Sequence, residues 1–397
     1  MTETLGTREQ QVLDFLAASQ PQMLGLLQRI VDIDSGSYHK AGVDAVIGQL
    51  RAQLEQHGVA CEIHANAEAG NCMRASLAGE GKPIVLMGHC DTVFAPGTAA
   101  QRPFRVEGDM AYGPGVADMK AGLVINTFVL SAFARAGIEV PMLGLYTADE
   151  EIASPASRPF IEANAANARA VFNSEPGRPS GNVVTGRKGA MFVECEVTGV
   201  PAHSGGNHHE GASAIEALCR KVVQMHRLTD YESGTTVNVG LIQGGTSVNT
   251  VAPHAAASID VRFKTAAAME AVKAKLAAIM GEVEVKGTCA HVTQQRYFLP
   301  LVQSEGSKAL FEAYVDSAAA IGFGTSGEYS GGSADSGFTA AAGVPTLCGT
   351  GPVGGKVHTA DEWLKVSTIV PRAQAMALTV MRMMRGASNY WDNGGRL

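Results

Sequence analysis

Charge is scarce in this chain, and it has no basic cluster. Asp, Glu, Lys and Arg make up only 17% of its 397 residues, and the net charge is -7. A nucleic-acid partner calls for a concentrated positive surface, so that class is set aside. Paired cysteines are missing as well. Cys61, Cys72, Cys90, Cys195, Cys219, Cys289 and Cys348 contain no Cys-x-x-Cys, which removes a zinc ribbon and a redox pair. An odd number of cysteines without a leader points to reduced cytoplasmic thiols, most of them small core residues. Residues 1–20 lack the basic-then-apolar order of a signal peptide. No apolar stretch reads as long enough to span a membrane, so no membrane partner is expected. No Gly-x-Ser-x-Gly elbow is present, which counts against a serine hydrolase built on His203-Ser204.

What remains is a globular α/β chain. Hydrophobic residues reach 46%, enough for sizeable cores, and 46 glycines announce many tight loops. The length exceeds one ordinary core, so two domains are expected. The central stretch is Pro83-Ile-Val-Leu-Met-Gly-His89-Cys90-Asp91-Thr92. Its unalternating apolar run reads as a buried parallel strand. Residues just beyond the carboxyl end of such a strand line the ligand crevice of an open α/β sheet. His89 followed by Asp91 fits an imidazole oriented by a carboxylate for metal binding, and equally a strand-end His capped by a loop acid. Cys90 between them turns to the opposite face.

Two further strands repeat the pattern. Met142–Thr147 runs into Asp149-Glu150-Glu151, and 169–174 runs into Glu175-Pro176-Gly177. Between them and the first strand, Asp118 precedes a helix expected to run to about Ala136, where an N-cap is the simplest reading of that residue alone. Acids gathered at buried strand ends are costly unless solvated or neutralised by a cation. Several acids and a His facing one crevice repel each other unless metal ions sit between them. Oxygen and nitrogen ligands without thiolate suit zinc, or cobalt or manganese.

From about residue 189 the pattern changes. Strands near 192–197, 235–243, 255–263 and 282–292 alternate with helices at 211–228 and 266–280, giving the β-α-β-β-α-β order of a ferredoxin-like unit. It reads as an insertion over 188–298 into a larger domain formed by 1–187 and 299–397. The segment 94–113 reads as loop. The run from Gly349 to Trp363 matches a dinucleotide fingerprint in its glycines, but the βαβ context is missing. A mobile loop carrying His358 fits better.

Taken together, Gly88-His89-Cys90-Asp91, Gly113-Pro-Gly-Val-Ala-Asp118-Met-Lys, Asp149-Glu150-Glu151, Ser174-Glu175-Pro176 and His358-Thr-Ala-Asp-Glu closely resemble the M20 family of di-zinc metallopeptidases, and within it the glutamate carboxypeptidases. The resemblance covers nearly the whole chain, including Pro103 to Asp109 and Val248 to Pro253. It implies a zinc-peptidase-type catalytic domain with a mostly parallel sheet, plus an inserted lid and dimerisation domain. It implies two Zn²⁺, with His89, Asp118 and Glu175 on one and Asp118, Glu151 and His358 on the other. Asp91 would orient His89, Glu150 would be the general base, and the peptide after Asp118 would be cis. His203 would reach the substrate carbonyl across a homodimer. Asn249, Arg262 and Arg296 would hold the substrate carboxylate, although Arg262 also suits a structural ion pair and the surroundings of Arg296 depart from the family. The implied reaction releases an amino acid, glutamate or a relative, from a small N-acyl amino acid or peptide. The alternatives are an aminoacylase, desuccinylase or dipeptidase of the same family, and a non-catalytic metal-binding protein.

Overall fold

A strand with no polar alternation must be covered on both faces, and the central strands of this protein are. The computed structural model describes residues 6–385. Ile84–His89, Met142–Thr147 and Ala170–Asn173 lie side by side and parallel, and Thr346–Cys348 extends the parallel set beside Ala170–Asn173. Every residue of Ile84–His89 is buried. Cys72–Leu77 and Ala60–His64 continue the sheet antiparallel on one side and Val183–Arg187 on the other, where Gly327–Ser330 lies next to Val183–Arg187 as the eighth strand. The α/β fold with a mostly parallel central sheet is therefore as expected.

The register brings the three chemistry-bearing strand ends together. His89 pairs with Thr147, and Met87 with Asn173. The chain thus leaves the sheet at adjacent points toward Asp91, Asp149 to Glu151, and Glu175. The helix Ala121–Ala136 packs behind this edge. With the preceding turn it forms the apolar stretch Val116–Ala136, buried along most of its length, with Arg135 exposed near its end. That length and composition would suffice to cross a membrane, contrary to the expectation from sequence; here the stretch is the core helix. Asp118 and Met119 interrupt it with non-helical backbone, and the peptide joining them is cis.

A second, four-stranded sheet forms where a loop was expected. Arg105–Glu107 and Met110–Tyr112 make a hairpin around Gly108, whose φ is +61°. Trp363–Lys365 and Gly354–Gly355 complete the sheet. Strands of two or three residues are too short for alternation to reveal them.

The chain divides into two compact units. One holds the chain up to Gly186, Gln303–Tyr329 and the stretch from Phe338 onward; the other holds Arg187–Val302 and Ser330–Gly337. The short segment Ser330–Gly337, expected in the larger unit, falls in the smaller one. Its carbonyls explain why: Lys188 N donates to Ser330 O at 3.0 Å, and Arg187 Nη1 to Ser333 O at 3.3 Å. The smaller unit is ferredoxin-like, with strands ordered Thr236–Gly244, His254–Phe263, Gly189–Thr198, Cys289–Phe298, all antiparallel. Its last strand starts seven residues later than expected. Residues 282–287 alternate like a strand, but Lys221 Nζ donates to the Ile279 and Glu282 carbonyls at 2.6 Å and holds this stretch as the helix exit.

Gly122, in the first turn of the core helix, has no room for a side chain: a Cβ would meet the Ser174 carbonyl oxygen, one residue before Glu175. Alanine favours helix by ~1 kcal/mol over glycine, but forcing an atom against backbone costs ~1–3 kcal/mol or more. Gly122→Ala should therefore be net destabilising in urea titration. An unchanged or raised midpoint would show that the helix does not make this approach.

Candidate metal centre

His89 ends its strand with the ring buried, 2% exposed. Nδ1 meets Asp91, 3.0 Å from its carbonyl oxygen and 3.3 Å from Oδ1. Nε2 faces Asp118 Oδ1 at 3.3 Å, Glu175 Oε1 at 3.7 Å and Glu150 Oε2 at 3.9 Å. It makes no hydrogen bond of normal geometry. A buried ring nitrogen aimed at three acids yet bonded to none is placed as a metal ligand would be.

His358 approaches from the other side. Its Nε2 lies 3.2 Å from Asp118 Oδ2 and 3.3 Å from Glu151 Oε2. Asp118 therefore stands between the two imidazoles, one oxygen toward each, rather than capping the helix. Ligand atoms of His89, Glu150 and Glu175 lie within 4.8 Å of one another, as do those of His89, Asp118 and Glu151. The five residues expected to hold metal thus converge, and Glu150 lies among them. The donor set, oxygen and imidazole nitrogen without sulfur, fits a divalent cation.

Asp91 organises this arrangement from behind. It is fully buried and accepts from Ser37 Oγ at 2.6 Å and from the backbone N–H groups of Glu150 and Glu151, each at 3.1 Å. One carboxylate thus sets the His89 ring and the turn carrying both glutamates. Asp149, the first acid of that run, does something else: it accepts from Ala156 N at 2.7 Å and Ser157 N at 3.1 Å, fixing the turn into the next helix. Burial pushes the Asp149 carboxyl up against the pull of these donors.

The charges respond to one another. Burial alone would raise the Asp118 carboxyl, but the His358 and His89 rings on either side of it outweigh that and hold it below the usual range. Burial pushes Glu151 up to about 7. Hydrogen bonds to Asp118 and Glu151 hold the His358 ring up at about 10. Burial works against a charge on His89, yet Glu150, Asp118 and Asp91 together raise it.

Two participants were not singled out in the sequence. Ser37 had no signal, being one hydroxyl in a polar turn. Glu362 belonged to a quoted motif without a role. It is 1% exposed and accepts from the backbone N–H groups of Gly115, Ala117 and Asp118. Burial pushes its carboxyl up to about 7 against those donors.

Within the smaller unit, His203 is exposed, and its Nδ1 accepts from Gly205 N and Gly206 N, both at 3.1 Å. The neutral ring therefore carries its proton on Nε2 and can only donate there. Among the described residues no hydrogen bond joins its ring to the Ser204 hydroxyl, as a serine nucleophile would need. Arg262 and Arg296 share a sheet face, through Phe192: Asp260 and Arg296 both pair with Phe192, and Arg262 lies two residues from Asp260. The Arg262 fork is already filled by Asp260, Nε to Oδ1 at 2.7 Å and Nη2 to Oδ2 at 2.8 Å. This is the structural ion pair the sequence left open. Asn249 is exposed; its carbonyl accepts from Ser204 N and its Oδ1 from Ser247 Oγ, both at 3.0 Å.

Residues 85–382 match the model of peptidase family M20/M25/M40. The chain belongs to that family. It is 31% identical over 219 residues to carboxypeptidase G2 of Pseudomonas sp. (strain RS-16), an alignment covering 53% of this chain and 52% of that protein. It is 29% identical over 244 residues to acetylornithine deacetylase of Myxococcus xanthus, covering 56% of this chain and 62% of the relative. The matches thus span about half of each relative. The fold resembles a metallo-carboxypeptidase of the M20 family from Sulfolobus solfataricus, with TM-score 0.72, 18% identity, and 90% and 98% of the two chains covered. It also resembles aminopeptidase PepT from Bacillus cereus, with TM-score 0.69, 22% identity, and 91% and 98% covered.

A cation can take His358 only as the neutral ring, whereas without metal its neighbours keep it protonated up to about pH 10. Zinc uptake at pH 7.5 should therefore release about one proton or more per chain. The affinity should rise with pH toward 10, because the competing proton is lost in that direction. Calorimetry in two buffers of different ionisation enthalpy measures this; equal heats in both would contradict it.

Proposed function

We propose that this protein is a metal-dependent hydrolase that cleaves the amide bond of small N-acyl amino acids or peptides and releases a C-terminal amino acid, glutamate or a relative. The observation carrying this reading is the convergence of Asp118, Glu150, Glu151 and Glu175 on the His89 and His358 rings, with the buried His89 Nε2 left without a hydrogen bond. His89, Asp118 and Glu175 would hold one Zn²⁺, and Asp118, Glu151 and His358 the other, with Co²⁺ or Mn²⁺ as substitutes. Bound there, such cations would supply Lewis acidity to a water and to the substrate carbonyl.

The chain's own residues would do the rest. Glu150 takes the proton of the attacking water and delivers it to the leaving nitrogen. Asp91 keeps His89 oriented and Glu150 and Glu151 in place through their N–H groups. His203, a donor at Nε2, is suited to hydrogen-bond a substrate carbonyl oxygen as it gains charge. The release of glutamate draws support from the likeness to carboxypeptidase G2. A second reading, a deacylase or dipeptidase, draws support from the acetylornithine deacetylase match and from Asp260 filling the fork of Arg262. A panel of N-acyl amino acids, N-aroyl amino acids and dipeptides offered to the zinc-loaded protein separates them by the amino acid released. No release from any member would remove both.

Glu150→Ala should keep its zinc while kcat falls by ~10²–10⁴-fold, the range for losing a general base. Glu151→Ala should lose zinc as well. Equal zinc loss in both variants, by metal analysis, would require the two roles to be withdrawn.

We further propose a homodimer in which His203 serves the partner's site. What supports it is the edge strand Thr236–Gly244, where Leu241 and Ile242 are 70% and 54% exposed. Such an edge invites pairing unless covered. Mixed His203→Ala and Glu150→Ala chains should regain up to about a quarter of parental activity, since half the dimers would be mixed and each would have one intact site. No recovery after verified subunit exchange would confine His203 to its own chain or to no role.

A further inference from the structure

The small four-stranded sheet has a consequence for the metal centre. Trp363 pairs with Tyr112 in an antiparallel ladder, so the residue before Trp363 lies opposite the residues that follow Tyr112. The residue before Trp363 is Glu362, and Gly113 to Asp118 follow Tyr112. Glu362 Oε1 accepts from Ala117 N at 2.9 Å and Asp118 N at 3.0 Å, and Oε2 from Gly115 N at 3.2 Å. One buried carboxylate thus gathers three N–H groups of the loop presenting Asp118. A carboxylate with two oxygens and about four acceptor sites suits this; a neutral amide, with one acceptor oxygen, does not.

The loop between Gly354–Gly355 and Trp363–Lys365 supplies His358 as well. His358 Nε2 faces Asp118 Oδ2 at 3.2 Å, while Glu362, four residues on, holds the Asp118 N–H. The same loop therefore grips Asp118 at its side chain and its backbone. Packing continues the grip: a Cβ on Gly354 would lie 2.5 Å from Ala117 Cβ, so the two loops touch without a side chain between them.

We propose that Glu362 is a positioning residue for metal binding: it sets the Asp118 carboxylate between the two imidazoles and locks the Asp118 loop to the loop bearing His358. The inference rests on the metal-dependent reading of the site. Groups behind metal ligands typically contribute 10–100-fold to metal affinity when removed, because the ligands then have to be ordered by the metal itself. A clamp that merely held the fold would behave differently, lowering stability without metal and leaving affinity alone.

Parent, Glu362→Gln and Glu362→Asp are stripped with a chelator and titrated with zinc against a chromophoric competitor, and the metal-free forms are melted. Glu362→Gln should bind zinc ~10–100-fold more weakly than the parent, with Glu362→Asp between, because it keeps the charge but loses reach. The steady-state signature is a kcat recovered by excess zinc with little change in KM. Zinc affinity equal to the parent's in a folded variant overturns the proposal, whatever happens to the melting temperature. Should Glu362→Gln not fold, Glu362→Asp carries the same comparison. A parent that takes up no zinc would remove the metal-dependent reading instead, so the two failures are distinct.

Discussion

Four carboxylates share a largely buried site with two imidazoles, and the charges do not balance. Even with both rings protonated, Asp118, Glu150, Glu151 and Glu175 would leave negative charge where water is scarce. Buried charges of one sign held close together are among the most expensive features a fold can carry. A divalent cation resolves this, and the surrounding architecture is arranged to present the acids to one. Three turns bearing His89 and the acids leave the sheet at neighbouring strand ends because the parallel register sets His89 beside Thr147 and Met87 beside Asn173. The small antiparallel sheet adds the loops of Asp118 and His358 from a different part of the chain.

Much of this was legible in the sequence for a physical reason. Unalternating apolar runs mark strands covered on both faces, and polar residues at the ends of such runs stand out sharply. Ile84–His89 followed by Asp91, and Met142–Thr147 followed by Glu150 and Glu151, are visible in that way. The ferredoxin-like unit was visible because its strands are covered on one face and alternate cleanly, as Gly189–Thr198 does with Met191, Val193, Cys195 and Val197 buried.

What was not legible depends on contacts between distant residues. Nothing local separates Glu362 from its neighbour Asp361, yet one is buried against backbone N–H groups about 245 residues earlier and the other is exposed. The ladder between three-residue strands decides that, and such strands carry no periodic signal. The Arg262 fork is similar: the sequence allows a substrate carboxylate or Asp260, and only the side-chain geometry shows Asp260 in place. Ser330–Gly337 has a single small apolar residue, Ala334, too little to assign it to a core from sequence, and hydrogen bonds from Arg187 and Lys188 tie it to the smaller unit.

The acids around the centre sort by what neutralises them. Asp91, Asp149 and Glu362 each accept two or three backbone N–H groups. Asp118, Glu150, Glu151 and Glu175 instead bring an oxygen within ion-pair distance of His89 Nε2 or His358 Nε2. Backbone donors are fixed by the fold and need no bound ion, so acids of the first kind can be buried permanently and used to hold loops. Imidazoles can lose their protons, so acids of the second kind keep a partner that a cation can displace or join. The first group builds the frame, and the frame lets the second group be held close together without metal. That is why residues with the same carboxylate group, adjacent in Asp149-Glu150-Glu151, have different work: the turn aims Asp149 at the next helix and its neighbours at the imidazoles.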